Sequence, residues 1–96
     1  MKKNELYTLV IDFKGGTYIT QAFANDLSNA PIECIKNLDI KGLGTEFGEK
    51  EKNEILLQLK DEKFVSLNGM KNVWCGCATL NKKTMLMNLI RTKRDA

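Results

Sequence analysis

Residues 5–24 read ELYTLVIDFKGGTYITQAFA, two apolar runs joined by Lys14-Gly15-Gly16-Thr17. No other stretch limits the fold so tightly. A two-residue hairpin turn needs positive φ at its centre, and glycine takes that conformation without steric cost. A turn centred on Gly15-Gly16 would pair Phe13 with Tyr18, Ile11 with Thr20, Leu9 with Ala22 and Tyr7 with Ala24. Tyr7, Leu9, Ile11, Phe13, Tyr18 and Ala22 then share one apolar face. The other face, with Thr8, Val10, Asp12, Ile19, Gln21 and Phe23, is mixed. A slip of one residue would turn the apolar set outward, so the Gly15-Gly16 register is expected to be firm.

The hairpin needs something to cover it. Residues 28–41 read as a first helix, with Ser28 as N-cap and Pro31 in the first turn, where its missing N–H costs little. A start at Asn25-Asp26 would leave Pro31 inside the helix and kink it, which favours the later start. Ile32, Cys34, Ile35 and Leu38 recur at helical spacing. Gly42 and Gly44 close the helix, and residues 42–48 form a glycine-rich loop. That loop lacks both the G-x-G-x-x-G spacing and the Lys-Ser/Thr of a phosphate loop. Residues 49–60 read as a second helix with Ile55, Leu56 and Leu59 on one side. The glutamates at its start suit the positive end of the helix dipole.

Three strands follow. Residues 63–67 are short, and Asn68-Gly69 is a second hairpin signal. Residues 73–80 (VWCGCATL) and 84–92 (TMLMNLIRT) flank Asn81-Lys82-Lys83. A two-residue turn near Lys82 puts Trp74, Ala78, Leu80, Met85, Met87 and Leu89 on one face, and an Asn68-Gly69 turn would add Val65 and Leu67. The expected fold is α+β, one domain over residues 1–96. It has a five-stranded, mainly antiparallel sheet with two helices on one face, in the order ββααβββ.

The composition narrows the chemistry. The chain has 96 residues and no histidine. That removes the commonest general base and metal ligand, and with it every Ser-His or Cys-His pair. An enzyme would have to work through carboxylates, lysine or thiols. None of the acids stands at a strand end beside an aromatic floor and a clear partner. No catalytic residue, cofactor or metal is expected. Cys75-Gly76-Cys77 puts two thiols on one side of a strand, but C-x-C is a poor match to zinc-knuckle spacings, and small buried packing residues are the simpler reading. Three cysteines, no secretory signal and no apolar run near the ~20 residues of a membrane span point to reduced thiols in a cytoplasm, with no membrane partner.

Charge is segregated. Residues 26–62 carry nine acids against five lysines, and residues 63–96 carry seven bases against one acid. The acidic middle could meet a basic partner, since complementary charge speeds encounter and sets register. Its candidate contacts are Asp39, Glu46, Phe47, Glu49, Glu51, Glu54, Asp61 and Glu62. The basic end offers the alternative of a nucleic-acid interface along Lys82, Lys83, Arg91, Lys93 and Arg94, with Trp74 for stacking. Trp74 fits the core face better, and lysines on an edge strand also block edge-to-edge pairing.

The run from Tyr7 to Gln21 (YTLVIDFKGGTYITQ) resembles a group of small bacterial proteins. They open with a strand, an acidic-Phe-basic-Gly-Gly-Thr-Tyr-Ile turn and a glutamine in the second strand, followed by a helix. The group looks like the immunity proteins encoded beside contact-dependent growth-inhibition toxins. The resemblance covers the hairpin and first helix only. The helix of that group carries an aromatic where Cys34 and Ile35 stand here, a departure that bears on the partner surface. What the resemblance implies is a cytosolic protein that binds the C-terminal toxin domain of its own system, often a nuclease, and blocks it without catalysis.

Overall fold

A computed structural model describes residues 4–38, 48–67 and 69–92. The elements are β1 (Glu5–Phe13), β2 (Gly16–Ala24), α1 (Ala30–Lys36), α2 (Glu49–Leu59), β3 (Val65–Ser66), β4 (Val73–Leu80) and β5 (Lys83–Thr92). The strands form one antiparallel sheet in the order β2-β1-β5-β4-β3. Both helices cover the same face, so the expected α+β architecture and its element order are present.

The first turn lies one residue earlier than the glycine pair suggests. Phe13 pairs with Gly16, Ile11 with Tyr18, Leu9 with Thr20 and Tyr7 with Ala22. The turn is Lys14-Gly15, with φ of 51° and 78°. Positive φ at both central residues marks a type I′ turn, whose twist matches the strands. Gly16 is then free for a different task. The Tyr18 ring leans across it, and a Cβ on Gly16 would stand 2.6 Å from the tyrosine oxygen. Moving a turn by one residue shifts the pairing by two, so every side chain keeps its face.

The covered face is the core. Tyr7, Leu9 and Ile11 of β1, Met85, Met87 and Leu89 of β5, and Ala78 and Leu80 of β4 are buried there. β2 contributes small residues, Thr20, Ala22 and Ala24. Their size lets α1 sit close to the sheet. The Thr20 hydroxyl donates to the Cys34 carbonyl at 3.0 Å, and the Cys34 thiol reaches the Tyr7 carbonyl at 3.7 Å. Ile35 and Leu38 from the α1 side and Ile55 and Leu59 from α2 complete the layer.

α1 is shorter than its periodicity. Its N-cap is Asn29, not Ser28, and the cap makes no side-chain bond. Asp26 does that work from one turn earlier. Its carboxylate accepts the Asn29 N–H at 2.9 Å and its carbonyl accepts the Ala30 N–H at 3.2 Å. At the other end the Lys52 ammonium, from α2, donates to the carbonyls of Lys36 at 2.8 Å and Leu38 at 3.3 Å. A cation on terminal carbonyls satisfies the helix C-terminus and its dipole together.

The β3–β4 connection is longer than an Asn68-Gly69 turn. Val65 pairs with Cys75 and Ser66 with Trp74, and the Leu67 N–H donates to the Val73 carbonyl. The Met70 N–H bonds the Leu67 carbonyl at 3.0 Å, with Gly69 at φ 79°, and Lys71 and Asn72 extend the connection. This changes the parity. Val65 stands on the uncovered face beside Cys75, 66% exposed, instead of in the core. Asn81-Lys82, with φ of 53° and 64°, closes a second type I′ turn and gives the expected β4–β5 faces.

Candidate functional site

The acidic set divides by the geometry of α2. Asp39, Glu46 and Phe47 lie outside the described residues. Glu51, Ile55, Leu59 and Glu62 follow one another at three- and four-residue steps, and so share the inner side of the helix. Glu51 accepts the Gly48 N–H at 2.7 Å, the reverse arm of a capping box. Glu62 accepts the Cys77 N–H at 3.2 Å on the outer edge of β4. Both carboxylates are committed to the fold. The position of Glu51, three residues after Gly48, was the sequence signal for that role.

Glu49, Glu54 and Asp61 face solvent. Among the described residues none of the three carboxylates has an ion-pair or hydrogen-bond partner. Leu57 lies between Glu54 and Asp61, at three- and four-residue steps from each, and is 61% exposed. Lys50 and Lys60 are also exposed on α2 and at its C-cap. The outward side therefore carries Leu57 with Glu54 and Asp61 before and after it, and Lys50 and Lys60 on the same side. Aliphatic anchors ringed by polar groups are common at protein contacts. A periodicity search scores Leu57 as a stray apolar residue and passes over it.

Lys93 and Arg94 lie outside the described residues, and the described residues of the basic end, Lys82, Lys83 and Arg91, do not form one stripe. Lys82 and Lys83 stand at the start of β5 and Arg91 near its end. At about 3.4 Å per residue those groups are roughly 27 Å apart. The two aromatic rings of that half lie on the helix side. Trp74 packs at 6.3 Å from Tyr7, centroid to centroid and tilted by 49°, and Phe64 covers Gly76.

The three thiols do not converge. Cys34 is buried beneath α1, and burial pushes its pKa up to about 12. Cys75 and Cys77 stand on the opposite face of the sheet, half-buried and exposed. Cys77 is thus not the buried packing residue that its strand position suggested, because nothing described covers that face. Among the described residues no three His, Cys, Asp or Glu side chains are grouped to hold a metal.

Sequence reasoning read the hairpin's uncovered face as mixed and did not join it to that of β4 and β5. The long strands present Leu6, Thr8, Val10, Asp12, Ile19, Gln21, Phe23, Val73, Cys75, Cys77, Leu86, Asn88 and Ile90 there. Asp12 is the only charged residue on this face among those of the long strands, in a chain that is 28% charged. The alternation of each strand held the signal, since the supposed solvent positions of β4 and β5 carry few charges.

Also among the described residues, no helix is long and apolar enough to cross a membrane. Comparison with family models, curated proteins and solved structures finds no match.

Proposed function

We propose that this protein acts by binding another protein, as an immunity protein that neutralises the toxin domain of a bacterial contact-dependent growth-inhibition system. The toxin is a nuclease or another enzyme with a basic cleft. The outward side of α2 makes the contact, and the mechanism is occlusion. Leu57 seats against the partner, while Glu49, Glu54 and Asp61 pair with lysines and arginines of the cleft. Such a complex buries roughly 1,600 Å² in all, and a tight one is nanomolar or better.

One observation carries this reading: among the described residues the carboxylates of Glu49, Glu54 and Asp61 have no partner, while those of Glu51 and Glu62 each accept a backbone N–H. Glu49 also suits the positive end of the α2 dipole, whereas Glu54 and Asp61 stand beyond the first turn. The hairpin motif from Tyr7 to Gln21 supplies the class of partner through its resemblance to immunity proteins.

Co-expression of the chain with the product of the neighbouring reading frame tests it. A stoichiometric complex with the C-terminal toxin domain, and growth rescued only when this chain is present, are expected. Absence of both complex and rescue would reject the reading.

A further inference from the structure

The uncovered sheet face is dressed to be buried. Five of its polar side chains are occupied with one another. The Thr17 hydroxyl donates to Asp12 at 2.8 Å, the Gln21 amide donates to Thr8 at 2.8 Å, and the Thr8 and Thr92 hydroxyls bond. Neutral polar groups already paired cost little to desolvate, and Asp12, the one charge, stands at the turn end of β1. Around them Ile19 is 65% exposed, Leu86 51% and Val65 66%. Thr79, Thr84 and Asn88 differ: no hydrogen bond joins their side chains to a described residue. Asn88 stands in the middle of the central strand β5.

We infer that two copies of this chain pack through these faces, with Asn88 against Asn88 of the second copy on the two-fold axis. Asn88 lies midway along the third of five strands, so a two-fold axis through the middle of the patch brings it to its own counterpart. An amide carries both donor and acceptor, and is therefore self-complementary across such an axis. Packed sheets stand about 10 Å apart, a gap that two asparagine side chains joined by a bond of about 2.9 Å can span. A single central asparagine then fixes register, as it does in coiled coils.

The nature of the face selects this occupant. It has no charge array for a basic cleft to meet, so it does not duplicate the α2 surface. Strands about 4.8 Å apart and roughly 27 Å long give a sheet face of about 500 Å², or about 1,000 Å² for a pair. That is at the lower limit for a specific interface and fits a reversible dimer.

Sedimentation equilibrium on the full chain tests the inference. Wild type should pass from monomer to dimer in the micromolar range. Asn88→Asp places like charges on the axis and should weaken the dimer about tenfold or more. Leu86→Lys should do the same, and Leu57→Lys on α2 should not. Thermal melts at low concentration establish that each variant folds. Cys75 and Cys77 offer a readout in the wild type. Their alkylation should slow as concentration rises, since the dimer covers them. A chain that stays monomeric to millimolar concentration would overturn the inference, as would a dimer indifferent to Asn88→Asp and Leu86→Lys. So would a monomer that instead co-sediments with neutral lipid vesicles. Toxin protection by α2 does not depend on this face, so the two readings fail separately.

Discussion

The Phe64 ring lies against the backbone of Gly76, so close that a Cβ at Gly76 would stand 2.7 Å from the phenylalanine Cε1. The pair explains why a glycine sits inside an eight-residue strand, where it normally weakens the structure. Phe64 supplies the apolar cover that Gly76 lacks, on the helix side of β4.

Gly76→Ala should therefore destabilise the protein by about 1–3 kcal/mol, although alanine favours a strand no less than glycine does. Phe64→Leu in the same chain should recover part of the loss. A chemical denaturation series of the two single variants and the double variant measures the coupling. Additive losses would mean the two sites do not touch.

Gln58 seals the far edge of the sheet. Its amide donates to the Thr79 carbonyl at 2.6 Å and accepts the Thr79 N–H at 2.8 Å, as a neighbouring strand would. Gln58→Ala should cost about 1–2 kcal/mol and leave an open edge. Equilibrium unfolding reads the first effect and turbidity on storage the second.

The Asn81-Lys82 turn holds a lysine at φ 64°, where an L side chain is strained. Lys82→Gly creates the favoured Asn-Gly pair and should raise stability by about 0.5–1 kcal/mol. Gly15→Ala, at φ 78°, should lower it by about 1 kcal/mol. Thermal melts distinguish the two signs directly.

Burial of Cys34 gives the stability a basic limb. Its pKa stands at about 12 when folded, against 9.0 for an ordinary thiol. Below the ordinary value both states hold the proton, and the group contributes nothing to pH dependence. Between the two values only the unfolded thiol ionises, so stability falls as pH rises. Cys34→Ala should remove that component of the slope. In the folded protein Cys75 and Cys77 should alkylate at pH 8 while Cys34 does not, which mass mapping would record.

Much of this fold is written in its alternation. The parity of β1, β2, β4 and β5 placed Leu9, Ile11, Met85, Met87 and Leu89 in the core, because period-two patterning survives a two-residue shift in pairing. Turn centres were less legible. Gly15-Gly16 offers two type I′ positions, and the choice of Lys14-Gly15 goes with the packing of Tyr18 over Gly16. Val65 was misplaced because the connection after Leu67 is longer than Asn68-Gly69 suggests, and one residue of parity turns a strand over. On α2 the acids looked alike in sequence. Only the helix's contacts with Gly48 and β4 separate Glu51 and Glu62 from Glu49, Glu54 and Asp61.

The most direct measurement is toxin protection by the variant Glu49→Lys, Glu54→Lys, Asp61→Lys, with Glu51 and Glu62 left in place. Cells co-expressing the toxin domain should survive with wild type and die with the triple variant, at equal level and thermal stability of the two proteins. Charge repulsion at a paired surface should also weaken the isolated complex by about a hundredfold or more. Full protection by a folded triple variant would contradict the assignment of the outward side of α2 as the binding surface.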